Sequence, residues 1–484
     1  MTTRTSPEVD KAIKDVLSIK NTNNPLIEVA DIPNNLKYRP GAPRKPSRHI
    51  GQYKLLMNEW QFLNSVLGDL KTQTYVVYAG AAPSNHIWWL SMHFPSVKFI
   101  LVDPAEFVIY MGGDGAPPIV SDTHYEQLFR SRGSKPFPIQ YLFANVESKY
   151  EKKHRVIQMI GGSDTLILDK DVSADIKKIH AMGAHNMASG GRVCELIKTA
   201  PASVRIFIIE DFFTTDLAHE LAPLNPHFVS DIRTNINGMR DALWYSDVAK
   251  INKDNGGSDH PGGSAHPGDL DLIWNLAQQY IWGAIIRSTC ASGPGRASVM
   301  LKFRAPYMRD IDRKIIMRCA TEQPFHATFI EYKKLTGESI ADQYLSGKFR
   351  YVGGKLYIQP WSGQNSSETR LVFKNENIMT YDVEEYNDKL FYYNSVLRQY
   401  QNHVNAHADA KRGFDHCNDC ALTAAILDEY CRKFDVDYEK KFKNWTAILD
   451  KMTGRCIKGF GHGGAFGVLT WDYVLKVRAQ SQYS

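Results

Sequence analysis

The run Tyr75-Val-Val-Tyr-Ala-Gly-Ala-Ala-Pro-Ser-Asn-His-Ile-Trp-Trp-Leu90 joins an apolar strand to an aromatic helix through a turn of very small residues, Gly80-Ala81-Ala82-Pro83. The apolar residues predict a buried strand, and the glycine and proline predict its abrupt end. Beyond the helix, Val97-Lys-Phe-Ile-Leu-Val-Asp103 reads as a second buried strand finishing in an acid. An α/β fold holds an adenosine with this order of parts. The small turn lets a ligand approach the backbone, and a carboxylate after the second strand accepts hydrogen bonds from ribose hydroxyls. By itself the pattern fits a dinucleotide or S-adenosylmethionine. A complete G-x-G-x-x-G, which serves a pyrophosphate, is missing, and that favours the methyl donor.

Working outward, the 484 residues suffice for one large domain with insertions or for two domains. A hydrophobic content of 43% with 11% aromatics can build a full core. The 58 basic and 52 acidic residues leave a net charge of +6, which permits a polyanionic partner without requiring one. Seven cysteines without framework spacing suggest reduced thiols in a cytosol-like compartment. Met1-Thr-Thr-Arg-Thr-Ser lacks the apolar core of a signal peptide, and no run of 18 apolar residues occurs. A soluble intracellular protein with no membrane partner is the expectation.

Residues 1–48 read as an N-terminal arm, ending in Lys37-Tyr-Arg-Pro-Gly-Ala-Pro-Arg-Lys-Pro-Ser-Arg48, where three prolines forbid helix. Leu56, Trp60, Leu63 and Leu67 then recur at helical spacing. Residues 49–375 carry the α/β rhythm, interrupted by 104–205, which looks like an insertion between the second and third core strands. Within it Thr165-Leu-Ile-Leu168 suggests a strand and Ile176–Ile179 a helical pattern. The third strand is expected at Val204-Arg-Ile-Phe-Ile-Ile209, with Ile139-Gln-Tyr-Leu-Phe143 as the competing placement. A short helix near Leu217–Leu221, a strand at His227–Asp231, a helix from Leu270 to Trp282 capped by Asp269, and a strand at Ser298–Phe303 follow. Lys355–Ile358 and Thr369–Phe373 look like a closing antiparallel pair, and residues 376–484 read as a helical, polar C-terminal region.

Four separated fragments together resemble the poxvirus cap-specific mRNA 2′-O-methyltransferase family, whose members also serve as the regulatory subunit of the viral poly(A) polymerase. They are Gly51-Gln-Tyr-Lys-Leu-Leu-Met-Asn-Glu-Trp-Gln-Phe-Leu63; the Tyr78–Leu90 turn with Asp103; Phe228-Val-Ser-Asp-Ile-Arg-Thr234; and Ala297-Ser-Val-Met-Leu-Lys-Phe-Arg-Ala-Pro-Tyr307 with Gly354–Trp361 and Ser367-Glu-Thr-Arg370. Glu384-Glu-Tyr-Asn-Asp-Lys-Leu-Phe-Tyr-Tyr-Asn394 is similar to the family's tyrosine-rich C-terminal helix. The resemblance implies a Rossmann-like S-adenosylmethionine-dependent methyltransferase of the α/β class, with a large insertion and a C-terminal helical extension. It implies a catalytic set of Lys54, Asp231, Lys302 and Glu368. The implied cofactor residues are Gly80, Ala82, Pro83, Ser84, His86 and Asp103, with Phe212 and Phe213 bracketing adenine, although two phenylalanines equally suit ordinary core. Ser84 stands where the family has glycine, and a side chain there is costly if the residue needs positive φ.

The chemistry explains why these residue types belong together. A ribose 2′-hydroxyl holds its proton tightly, and a lysine can take it only when burial or neighbouring positive charge favours the neutral amine. The resemblance implies Lys302 as that base, Lys54 as a second cation that steers the hydroxyl, and Asp231 and Glu368 as orienting acids. The acids work against the neutral amine, so the net tuning has no sign at this level. The reaction requires no metal.

Methylated guanine carries a delocalised positive charge, so aromatic faces bind it well. Tyr38 and Tyr307 are the implied plates. The family's two acids at the guanine edge align with Arg309 and Asn387, which are not acidic; Asp310 and Asp388 stand one residue away. Arg44, Lys45, Arg48, Arg233, Arg240 and Arg304 are candidates for an RNA track. His403, His407, His416, Cys417 and Cys420 lack the second paired half of a zinc site, and Gly459-Phe-Gly-His-Gly-Gly464 lacks the lysine of a phosphate loop. The resemblance further implies capped mRNA and a poly(A) polymerase catalytic subunit as partners, and a cytoplasmic viral factory or virion as location. Two other readings are methylation of a different RNA and a non-catalytic RNA-binding accessory subunit. A scaffold has no need of the Lys–Asp–Lys–Glu set, which speaks against the latter.

Overall fold

A computed structural model describes residues 29–32, 51–67, 73–112 apart from 85 and 106, the segments 140–143, 155–159, 166–169 and 193–200, and 204–233 apart from 210. It further describes 269–288, 297–308, 325–394 apart from 361 and 363–365, and scattered positions at 313–321 and 419–429. The 176–179 pattern and His403, His407, His416, Cys417 and Cys420 lie outside the described residues. The chain divides into two compact units. One is Met1–Gly68, Leu356–Thr369 and Glu385–Ser484; the other is Asp69–Lys355 and Arg370–Glu384.

The second unit is built on a mixed α/β plan around a mostly parallel sheet, compatible with a Rossmann-like fold. Its parallel strands are β1 (Thr74–Ala79), β2 (Val97–Val102), β4 (Gln140–Phe143), β7 (Val204–Ile209), β8 (His227–Ser230) and β9 (Val299–Phe303), in the spatial order β9-β8-β1-β2-β7-β4. Every residue of β2 and β8 is buried, the continuous apolar pattern of strands covered on both faces. β7 takes the third-strand position beside β2, and β4 pairs with its other side. Both sequence candidates are therefore strands, and 104–205 is not wholly an insertion outside the sheet. A smaller sheet, β3 (Val108–Gly112), β5 (Arg155–Met159) and β6 (Leu166–Asp169), accounts for part of the remainder. Short apolar runs cannot reveal which sheet they join, because their pattern carries no register.

The helices follow their capping chemistry. Thr214 is extended, and its hydroxyl accepts the Leu217 N–H at 3.1 Å to open α4 (Thr215–Leu221). α5 (Asp269–Ser288) already includes Asp269 in its first turn, so that residue is not the cap ahead of it. The helix is buried on nearly every side, including Asp271, Asn275, Gln279 and Arg287. The C-terminal region is not helical from its start: β13 (Ile378–Tyr381) pairs antiparallel with β10 (Phe349–Val352) before α8 (Val383–Tyr392) begins. Between β10 and β13, Lys355–Ile358 (β11) and Thr369–Phe373 (β12) are both strands, as expected. Arg205 on β7 secures the end of α2 (Ile87–His93), its guanidinium donating to the carbonyls of Ser91, Phe94 and Val97. A cation at that helix end is favourable.

His227, at the start of β8, is buried and its Nδ1 accepts the Ser298 N–H at 3.0 Å. Burial, with the Lys374 charge, lowers its pKa from 6.5 to about 4. The folded protein thus holds the ring neutral where the unfolded chain takes up a proton. Below about pH 6.5 the unfolded state binds more protons, so stability falls as the pH drops from 6.5 towards 4. The shift corresponds to about 3 kcal/mol. His227→Gln keeps an acceptor without the titration, and urea melts at pH 7.5 and 4.5 should show a correspondingly smaller acid loss in the variant. Equal losses in both proteins would exclude His227 as a source.

Candidate active site

The strand order reverses beside β1: the chain leaves β1 for β2 on one side, and later β8 pairs on the other. In open α/β sheets a ligand crevice forms at the carboxyl ends of the strands flanking such a point. Here those ends are Gly80 after β1 and Asp231 after β8. The two chains touch closely. Asp231 donates its N–H to the Ala79 carbonyl at 3.1 Å, and a Cβ on Gly80 would lie 2.9 Å from the Ile232 nitrogen and 3.0 Å from the Asp231 carbonyl carbon. Gly80 has φ +77°, so both space and backbone conformation require glycine.

The rest of the turn is held from β2. Gly80 donates to the Val102 carbonyl at 2.9 Å. Asp103 accepts the Ala82 N–H at 3.1 Å on one carboxylate oxygen and the Ala105 N–H at 2.7 Å on the other. The acid predicted to meet a ribose therefore also braces the turn. Ser84 does occupy positive φ, at 54°, and its buried hydroxyl donates to the Ala81 carbonyl. That local bond offsets part of the conformational cost of a non-glycine residue. His86 is fully buried at the N-cap of α2, supporting the turn from inside without exposed surface for a ligand.

The phenylalanine pair is divided. Phe213 is buried, its ring centroid 4.9 Å from Trp282 and 5.4 Å from Phe228, and serves the core. Phe212 is 43% exposed after β7, where its ring can face a planar ligand.

Asp231 anchors a charged cluster. Its Oδ1 lies 3.1 Å from Arg370 Nη2 and 3.5 Å from Lys302 Nζ, while Oδ2 lies 3.8 Å from Arg233 Nη2. Asp231 and Arg370 are buried, Lys302 is 12% exposed, and Arg233 is open to solvent. Lys302 and Asp231 come from neighbouring parallel strands, β9 and the end of β8, so their approach follows from the register Ser230↔Leu301. Arg370 on β12 stands outside the candidates that the sequence supplies. One signal for it exists: an arginine inside an otherwise apolar strand needs a buried carboxylate.

The remaining candidates are distributed unevenly. Arg304 pairs with Asp269 at 3.2 Å, and the same Asp269 oxygen accepts the Tyr307 N–H at 3.4 Å, which orders the segment after β9. Lys54 and Glu368 belong to the first unit. Lys54 is buried on α1 (Gly51–Leu67), whose Leu56, Leu63 and Leu67 are core residues. Glu368 sits in a segment fixed by α8 and the residues just after it: Tyr386 donates to the Ser367 carbonyl at 2.8 Å, and Asn394 to the Ser366 carbonyl at 2.7 Å. Asn387 is fully buried, and Asp388 on the same helix is half-buried. Tyr38, Arg44, Lys45, Arg48, Arg240, Arg309 and Asp310 lie outside the described residues. Among the described residues no group of three His, Cys, Asp or Glu side chains could hold a metal, and no helix is long and apolar enough to cross a membrane.

Comparison with known proteins agrees with the sequence resemblance over part of the chain. A family model described as the poly A polymerase regulatory subunit matches residues 21–114. The cap-specific mRNA (nucleoside-2′-O-)-methyltransferases of two myxoma virus strains, Lausanne and Uriarra, are each 34% identical over 90 residues, covering 17% of this chain. The match spans about a quarter of those relatives' own length, 26%. The family match includes Lys54, the Gly80 turn and Asp103, whereas Asp231, Lys302 and Arg370 lie beyond it.

Proposed function

We propose that this chain moves a methyl group from S-adenosylmethionine to the ribose 2′-hydroxyl of the first transcribed nucleotide of capped mRNA. The observation that carries this reading is the convergence of Lys302 and Arg370 on Asp231 where the strand order reverses, with the Asp231 backbone packed on the turn glycine. The residues suit the cofactor. Gly80 leaves a cradle that a Cβ would fill, Ala82 and Pro83 add little bulk, and the Ala82 and Ala105 N–H groups fix the Asp103 carboxylate beside the turn, where the reading places the ribose. When bound, the sulfonium supplies a methyl already activated for displacement. Lys302 Nζ then takes the hydroxyl proton, Asp231 Oδ1 orients that nitrogen, and Arg370 holds the same oxygen and offsets its charge. Positioning contributes most of the remaining acceleration. By the sequence resemblance, Lys54 and Glu368 are further candidates for catalysis.

Tyr38 and Tyr307, with Asp310 and Asp388, would receive the cap, and the arginines and lysines of the N-terminal arm together with Arg233 and Arg304 the RNA backbone. Action on transcripts in the cytoplasm belongs to the same proposal. The name of the matched family model supports a second role, as partner of a poly(A) polymerase.

The test is transfer of labelled methyl from S-adenosylmethionine to RNA bearing an unmethylated first ribose. Label is expected on that 2′-oxygen for capped RNA and not for uncapped or already methylated RNA. Equal labelling of uncapped RNA would remove cap specificity; no transfer at all would remove the enzymatic reading.

A further inference from the structure

We propose that Gln279 is a positioning residue for Lys302, setting the backbone from which the base projects; this rests on the reading of Lys302 as the base. The register between β8 and β9 runs through Phe228↔Val299, Val229↔Met300 and Ser230↔Leu301 and stops there. Lys302 is the first residue past that paired run. Its carbonyl accepts the side-chain amide of Gln279 on α5 at 2.6 Å, and Gln279 is 2% exposed. On the next residue, Phe303 stacks on Tyr351 with centroids 5.5 Å apart. Tyr351 in turn donates its hydroxyl to the Leu276 carbonyl on α5 at 2.7 Å. With its proton so committed, the Tyr351 oxygen 3.4 Å from Gln279 Nε2 can only accept, which fixes the amide with its nitrogen towards Lys302. Burial keeps this phenol protonated.

The consequence for Lys302 is geometric. The lysine side chain is long, so a backbone rotation of about 10° carries Nζ by about 1 Å, a displacement that can cost on the order of a hundredfold in rate. Asp231 guides the far end of the side chain, and Gln279 secures the near end.

The test compares Gln279→Met, which keeps the volume and removes the donor, with Gln278→Met as control. Gln278 is the adjacent residue of the same helix and donates to the Thr328 hydroxyl at 2.8 Å. Two readouts are taken. In chains labelled with 13C at lysine Cε, with the Lys302 resonance assigned from Lys302→Met, the Lys302 titration curve is expected to shift in Gln279→Met and to match wild type in Gln278→Met. In methyl transfer, kcat is expected to fall at least about tenfold in Gln279→Met, with the KM of both substrates within about twofold. A Lys302 curve identical to wild type in Gln279→Met overturns the proposal, whatever the methyl-transfer result. So does a kcat that follows the Gln278→Met control, or a loss confined to KM. Absence of methyl transfer in the wild-type chain would instead remove the enzymatic reading and leave the resonance comparison to decide the anchoring of Lys302.

Discussion

Replacing Lys302 by methionine is expected to lower kcat for methyl transfer about a thousandfold while the protein stays folded and the substrate KM values change little. The side-chain volume is nearly conserved, so the expected loss is that of the proposed base. Stability is spared for a specific reason. Asp231 would remain paired with the buried Arg370 guanidinium at 3.1 Å and would not be left as an uncompensated buried charge. The reverse change, Arg370→Met, leaves Asp231 without that guanidinium and should harm folding as well as rate. Single-turnover transfer to capped RNA, with thermal melts of both variants, separates the two effects. A Lys302→Met variant within about tenfold of wild type would mean that another group takes the proton.

Gly80→Ala is expected to abolish cofactor binding and to destabilise the protein. Adopting φ +77° costs an alanine about 1–3 kcal/mol. The new methyl would also sit 2.9 Å from the Ile232 nitrogen and 3.0 Å from the Asp231 carbonyl carbon, both backbone atoms. Backbone cannot rotate away as a side-chain tip can. Relief requires moving β1 and the end of β8 apart, and that displaces Asp231 from Lys302 and Arg370. One methyl group thus strikes the Gly80 turn and the charged cluster together. Calorimetric titration with S-adenosylhomocysteine, alongside melting curves, reads both. Wild-type affinity in Gly80→Ala would show that the turn does not contact the cofactor.

These two sites differ in how far residues alone reveal them. Gly80 and Asp103 announce themselves because turn chemistry is local: the small residues that permit a tight reversal after an apolar strand are all neighbours in the chain. Ser84 is legible as costly only on the condition that it needs positive φ, through the glycine the resembling family has there, and its φ of 54° meets that condition. The bond from its hydroxyl to the Ala81 carbonyl, which makes the residue tolerable, depends on the folded turn. Phe212 and Phe213 are indistinguishable in sequence. Only the packing of Phe213 on Trp282 and Phe228 separates core ring from exposed ring. His86 looks available beside the turn and proves fully buried.

What the residues determined unaided was local: most strand and helix types, the tight turn and the acid after the second strand; the candidacy of Lys302 and Asp231 came through resemblance. Hydrophobic period and turn chemistry act over a few neighbours, so they survive without a fold. Tertiary structure alone decided the placement of β4 at the sheet edge, the recruitment of Arg370 to Asp231, and the hold of Gln279 on Lys302. Each joins segments distant in the chain. No periodicity encodes such pairings, because they depend on strand register and on which helix face meets the sheet.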